Sequence, residues 1–177
     1  MVRGDFFMKN KNIRKITFAS MITAIYFVLC VFEGNLASGF LVNVRFAEGL
    51  LVFALFIPET IIGASIGCFL YNLLFGFGIY DALIGTVATL FGGLYILLIN
   101  KIIKHEKIKL SIFGLAAILL NAALVPIVLI ISVPELSWAM YWTEFGIVAL
   151  GETIAIYSIG IPLYLISKKH ILNYIEK

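Results

Sequence analysis

The chain has 177 residues, 62% of them hydrophobic and 13% charged, and its mean hydropathy is +1.08. A soluble domain is near half apolar and a quarter charged, and a chain this short cannot hide so much apolar surface in one core, so a soluble globular domain is excluded and lipid is the solvent that fits. The net charge of +3 is small, but the charges are segregated along the chain, and the segregation matters more than the sum.

Residues 1–15 form a polar, basic tail that includes Lys9, Lys11, Arg14 and Lys15. The apolar run 16–32 predicts a first membrane span, because ~20 apolar residues rising ~1.5 Å each cross a ~30 Å hydrocarbon core. Further apolar runs follow it, so it reads as a retained helix and not as a cleavable signal. A short second span is expected over 45–57. Pro58 ends it, since proline cannot donate to a helix ladder and restricts the residue before it. As an α-helix this segment would be only ~20 Å long. Partner segments must then cover its outer end, and the loop 33–44, with Gly34 and Gly39, is the expected cover. The third span restarts near Glu59 and runs to Phe75, and Gly76 to Tyr80 form a turn. Asp81 is placed to cap a fourth span that continues to Asn100, because a carboxylate can accept from a free N–H at a helix start. The fifth and sixth spans are expected over 110–131 and 143–167, and 168–177 is a second basic tail. Cys30 and Cys68 lie inside apolar runs and read as small buried hydrophobes.

Cytoplasmic loops collect Lys and Arg. With six spans, one side holds Arg3, Lys9, Lys11, Arg14, Lys15, Lys101, Lys104, Lys107, Lys109, Lys168, Lys169 and Lys177, and the other holds only Arg45. The expected architecture is an all-α integral membrane bundle of six transmembrane helices, one domain over 16–167, with both termini cytoplasmic.

An ionisable group inside a span costs ~2.5 kcal/mol or more on insertion scales, so the exceptions are informative. They are Arg45 and Glu48 at the start of span two, Asp81 at the start of span four, and Glu144 and Glu152 in span six, with Asn72 and Asn121 as neutral companions. In the expected topology these lie mostly in the outer half, where a cavity open to the outside would be. Arg45 and Glu48 are three apart on one helix and therefore neighbours on its surface. Two roles stand open for them: a structural ion pair, or the wall of a pocket. Glu152 lies deep in span six with no basic residue in its own helix, and Gly151 beside it permits close approach. It needs a partner or a proton. Ligand contact and a helix–helix hydrogen bond to Asn121 both answer that need. Asp81 is a helix cap or a ligand contact, and Glu144 lies at the interface, where solvation is cheap. Trp138, Tyr141 and Trp142 cluster before span six, either as an interfacial belt or with one ring stacked on a planar ligand. Tyr71 and Tyr80 flank the other outer loop.

No Gly-x-x-x-x-Gly-Lys-Ser/Thr, His-Glu-x-x-His or Gly-x-Ser-x-Gly motif occurs, and no Cys/His cluster. His105 and His170 lie in basic segments. No span carries a ladder of ionisable residues. The chain reads as a binder without an engine, not an enzyme, and any energy for transport would come from a partner. The first span offers a face for one: Ser20 with Ala24, and Ala19 with Thr23, are small-xxx-small pairs that let helices approach closely. Packing within the protein is the other use of such a face.

These features resemble the substrate-binding S components of energy-coupling factor (ECF) importers: small six-helix membrane proteins with a small-xxx-small face on the first helix. Within that group the chain looks most like the queuosine-precursor transporter family. Val44-Arg45-Phe46-Ala47-Glu48-Gly49-Leu50 is similar to the family's Arg-x-Ser-Glu-Ala-Leu entry to span two, with Ala47 and Gly49 standing where Ser and Ala are usual. Gly63-Ala64-Ser65-Ile66-Gly67-Cys68 also fits. Tyr80-Asp81-Ala82-Leu83-Ile84-Gly85-Thr86-Val87-Ala88-Thr89-Leu90 resembles its Asp-x-x-x-Gly-Ser-x-Ala-Thr-Leu signature, and Asn121-Ala122 and Gly151-Glu152 fit as well. The resemblance implies a multi-pass protein of the bacterial plasma membrane. It implies capture of a 7-deazaguanine (queuine, preQ1 or preQ0) from outside, and delivery through a coupling membrane protein and two ATPase subunits. Glu152 or Glu48 would accept the paired N–H groups of the guanine-like edge, Asn72 or Asn121 would bond a ring carbonyl or nitrogen, and an aromatic ring would cover the face. No cofactor, covalent chemistry or nucleic-acid partner is implied.

Overall fold

The computed structural model describes residues 11–37 and 45–175, and all regular structure among them is helical. Helix α1 spans Lys11–Ala37, a 3-10 helix spans Phe46–Leu55, α2 spans Thr60–Phe75 and α3 spans Ile79–Ile102. Helix α4 (Glu106–Ile112) and α5 (Leu115–Ser132) meet at a turn, and a short 3-10 turn (Trp138–Met140) leads into α6 (Tyr141–Ile175). Helix α1 packs on α2, α2 on α3, α3 on α5 and α5 on α6. The 3-10 helix packs on α1, α2, α3 and α6 and so closes the ring from within.

By length and composition four segments can cross a membrane: Asn12–Gly34, Ile79–Ile102, Glu106–Ser132 and Trp138–Lys168. Phe46–Leu55 and Thr60–Phe75 are apolar but shorter. Large apolar side chains such as Val28, Phe32, Phe91, Leu119 and Leu165 point outward, while Glu33, Glu48, Asn72, Asp81, Asn121 and Glu152 are buried. That inversion is what a lipid solvent selects.

The second expected span falls in the expected place but is a 3-10 helix, not an α-helix. Ten residues at ~2.0 Å each reach ~20 Å, where an α-helix would reach ~15 Å. Eight of those ten residues are buried, so the segment is a core element and not a lipid-facing one. Such long 3-10 runs are uncommon because their hydrogen bonds are poor, and here side chains hold both ends. Glu33 Oε1 accepts from the Ala47 N–H at 2.9 Å. At the other end Asn100 Nδ2 donates to the Leu55 carbonyl at 2.9 Å, and Lys109 Nζ fixes that amide by donating to Asn100 Oδ1 at 2.6 Å. The segment runs alongside α6 in the same direction. Gly49 lies so close to Ile159 that a Cβ would stand 2.8 Å from that residue's own Cβ, and farther along Phe56 stacks on Tyr164 at 4.9 Å.

Three expected boundaries shift. Asp81 is not the cap residue of α3: Gly78, with φ of 87°, holds that position. Asp81 sits in the first turn and reaches back, its Oδ2 accepting from the Phe77 N–H at 3.1 Å. The fifth span begins at Glu106 and is broken at Phe113–Gly114, with Gly114 pressed against Ile156 of α6. The sixth begins at Tyr141 and continues to Ile175. The expected cover, 33–44, and the tail residues Arg3, Lys9 and Lys177 lie wholly or largely outside the described residues.

The α1–α2 crossing is close at Gly63. A Cβ on Gly63 would clash with the Ala19 carbonyl, and Thr23 Oγ1 donates to the Gly63 carbonyl at 2.9 Å. Gly63→Ala is therefore expected to destabilise the protein by about 1–3 kcal/mol, the usual range for overpacking, read as a lower thermal midpoint in detergent. An unchanged midpoint would show that α1 and α2 separate at no cost.

Candidate functional site

One end of the bundle is where α1, α2 and α5 finish and the 3-10 helix, α3 and α6 begin. Asn72, Asp81 and Glu144 lie toward it, whereas Asn121 and Glu152, and the Tyr26 and Thr89 that hold Glu48, stand near the middle of their spans. Glu48 is fully buried in the first turn of the 3-10 helix. Its Oε1 accepts two hydrogen bonds, from Tyr26 Oη of α1 at 2.5 Å and from Thr89 Oγ1 of α3 at 2.9 Å. Its Oε2 is buried with no partner. The carboxylate is thus gripped by one oxygen and presents the other.

Glu152 is 1% exposed, and its Oε2 has no partner either. Asn121 on α5 is fully buried, and both its Nδ2 and its Oδ1 are unpaired. The helix–helix bond between Glu152 and Asn121 that the sequence left open is not formed. Pro126, one turn beyond Asn121, lacks the N–H that would bond the Ala122 carbonyl, so α5 is locally looser there. Asn72 donates weakly to Cys68 Sγ at 3.5 Å and to the Asp81 carbonyl at 3.4 Å, and leaves its Oδ1 unpaired.

Arg45 immediately precedes the 3-10 helix. Among the described residues it makes no ion pair with Glu48, whose bonds go to Tyr26 and Thr89 instead. Its charge lies within electrostatic reach of Glu152, Asp81 and Glu33. Glu152 in turn feels both Glu48 and Glu33.

The remaining candidates lie elsewhere. Trp138 and Trp142 are 63% and 75% exposed. Trp142 packs edge-on to Tyr141 at 5.2 Å and near Phe145 at 5.8 Å. The Tyr141 hydroxyl donates to the Ala123 carbonyl at 3.0 Å, tying the start of α6 to α5. Asp81 spends one oxygen on the turn before α3. Glu144 is half-buried. Tyr26, Thr89 and Glu33 take part in the arrangement but were not singled out from the sequence. Thr89 lay inside the Asp81 stretch already quoted, and Glu33 is an acid within one residue of an apolar run. Tyr26 carried no signal beyond a lone hydroxyl in an apolar span.

At the opposite end, α1 and α2 flank a groove of about 520 Å³ lined mainly by Ile16, Ala19, Ser20, Thr23, Ile62 and Ile66. Lys15 and Glu59 pair across its mouth at 2.7 Å. Burial raises the Glu59 carboxyl, but the hydrogen bond and charge of Lys15 outweigh it and hold it below its usual range. The two small-xxx-small pairs divide: Ala19 and Thr23 face α2, whereas Ser20 and Ala24 are exposed.

A family model described as QueT transporter matches residues 16–169. The chain belongs to the QueT transporter family. No curated protein and no solved structure matches it. The QueT family is a family of transporters, and the apolar helices place this member as a multi-pass membrane protein with a small-molecule substrate.

Buried polar atoms without partners oppose folding, so the site should show itself in stability. Glu152→Leu is expected to stabilise the ligand-free protein by about 1–3 kcal/mol, the penalty of an unpaired buried polar group. Thr89→Val removes a donor from the gripped oxygen of Glu48 and is expected to destabilise by about 1 kcal/mol. Thermal unfolding in detergent reads both. A Glu152→Leu midpoint below that of the unaltered protein would mean that this carboxylate holds the bundle together.

Proposed function

We propose that the protein is the substrate-binding S component of an ECF-type importer and captures a queuosine precursor, a 7-deazaguanine, from the outer face of a bacterial plasma membrane. The observation that carries this reading is the set of buried, unpartnered polar atoms on Glu48, Asn72, Asn121 and Glu152. A guanine-like edge offers adjacent N–H donors, and a carboxylate accepts two of them in parallel. An amide can meet the ring carbonyl. A buried site built this way penalises any ligand that leaves its groups unpaired.

In this reading the 3-10 helix and α2 complete six crossings, with both termini and the lysine-rich turns cytoplasmic. The polar site then opens outward. The groove between α1 and α2 lies at the cytoplasmic end, with Ser20 and Ala24 exposed nearby. It suits close docking of a helix from the coupling membrane protein, and two ATPase subunits would drive the cycle through that protein. The chain itself carries no phosphate-binding loop.

Two measurements test this. The first titrates the detergent-purified protein with queuine and its aminomethyl and nitrile precursors, against guanine, riboflavin and thiamin, by calorimetry and by Trp138 and Trp142 fluorescence. Saturable binding of a deazaguanine is expected, weakened at least about 30-fold in Glu152→Ala, since truncating one partner of a buried charged pair costs ~2–5 kcal/mol. Binding that survives Glu152→Ala would displace the site. Binding of a control vitamin would remove the queuosine assignment and leave the S-component role. The second tests orientation. Cys30 and Cys68 are buried and give no background. In intact cells Tyr80→Cys should react with an impermeant maleimide, and Lys104→Cys only after permeabilisation. The opposite pattern would invert the topology.

A further inference from the structure

The stretch from the end of α3 into α4 carries charge that substrate capture does not use. Lys101, Lys104, Lys107 and Lys109 lie there with a single acid, Glu106. That acid is already engaged, since Lys168 of α6 donates to its Oε2 at 2.5 Å. Lys109 is engaged with Asn100. Lys101, Lys104 and Lys107 remain. All three are exposed, and among the described residues none of their ammonium groups meets an acid or donates a hydrogen bond.

The backbone that carries these lysines is held in place. Lys109 and Asn100 tie it to the Leu55 carbonyl, Lys168 ties Glu106 to α6, and the Tyr157 hydroxyl donates to the Ser111 carbonyl at 2.5 Å. A connection that only joined two helices could be loose. A held one loses less freedom when a partner binds.

Two apolar side chains share the same surface: Ile102 is 67% exposed and Ile108 52%. Position sets their depth. Ile102 ends one membrane-length segment, Ile79–Ile102, and Glu106 begins the next, Glu106–Ser132. Ammonium groups so near two span ends lie at the level of lipid headgroups, with the isoleucines at the edge of the acyl region. An acidic soluble protein would answer the lysines alone. An anionic phospholipid answers both, with a phosphate for the ammonium groups and an acyl chain for the isoleucines.

We infer that the α3–α4 connection is a docking site for an anionic phospholipid, its headgroup held by Lys101, Lys104 and Lys107 and its acyl chain lying on Ile102 and Ile108. Basic clusters at span ends attract anionic lipid in this way. The inference rests on the membrane placement of the chain and not on the identity of its substrate. Because this connection braces Asn100, and Asn100 the Leu55 carbonyl, a bound lipid also steadies the far end of the 3-10 helix.

The test titrates the full-length protein, in neutral detergent, with phosphatidylglycerol or with phosphatidylcholine of the same acyl chains, and counts bound lipid by native mass spectrometry. Phosphatidylglycerol is expected to bind at least about tenfold tighter, on the scale of several basic residues facing an anionic surface, and to raise the thermal midpoint. The preference should shrink between about 0.1 M and about 1 M salt, as the screening length falls from ~10 Å to ~3 Å. Lys101→Gln/Lys104→Gln/Lys107→Gln should bring the two lipids within about threefold of each other, whereas Lys9→Gln/Lys11→Gln should leave the preference intact. Equal affinity of the two lipids for the unaltered protein overturns the inference and leaves the lysines to topology or to an acidic soluble partner. An equal fall in the Lys9→Gln/Lys11→Gln protein replaces the site by a diffuse charge effect. Displacement of phosphatidylglycerol by glycerol phosphate at matching concentration makes the ligand a soluble phosphate and not a lipid. If the triple variant does not fold, Lys104→Gln alone decides the site, with a fall of about threefold expected and an unchanged preference overturning it.

Discussion

A 3-10 helix threaded through the middle of a membrane bundle is the constraint on which the other features depend. Within lipid every backbone polar group must find a partner inside the protein, and a 3-10 segment has frayed ends and weak internal bonds. Here Glu33 secures one end and Asn100, braced by Lys109, secures the other. Those bonds come from α1, α3 and α4, so the central segment and its surroundings fold as one cooperative unit. With eight of its ten residues buried, it also reaches α1, α2, α3 and α6 at once. That centrality brings Glu48 between Tyr26 and Thr89, and Arg45 within reach of Glu152.

The same arrangement explains why an empty site is tolerated. Glu48, Asn72, Asn121 and Glu152 each bury at least one unpaired polar atom, and each such atom opposes folding. Tight apolar crossings offset this, notably α1 on α2 at Gly63 and the 3-10 helix on α6 at Gly49. Ligand-free and ligand-bound states then differ in polar satisfaction more than in apolar burial. A ligand that completed those hydrogen bonds would stabilise the fold by mass action.

Much of this was legible in the chain itself. The six apolar runs, the stop at Pro58 and the turn after Phe75 all follow from residue type and order. The family was legible too, in the stretches around Arg45 and Asp81. Hydropathy and charge partitioning act residue by residue, so they do not wait for the fold. The polar residues of interest were also visible, because an acid in an apolar run is conspicuous wherever it packs. Glu48, Asn72, Asp81, Asn121 and Glu152 are all buried at or below 5% exposure.

What each of those residues does was decided only by tertiary structure. Arg45 and Glu48 are neighbours in sequence, yet Glu48 bonds to residues 22 and 41 positions away. The grip of Tyr26 and Thr89 on one oxygen, and the freedom of the other, depend on where α1 and α3 cross the central segment. The winding of that segment is equally a tertiary choice: its composition permits an α-helix, but the span to be covered and the bonds available at its ends favour the longer, thinner 3-10 form. Residue chemistry by itself determined that this protein lives in a membrane and carries acids there. The crossing of helices determined which oxygen of Glu48 is anchored and which is free, because a hydrogen bond is a property of two positions and only the fold brings them together.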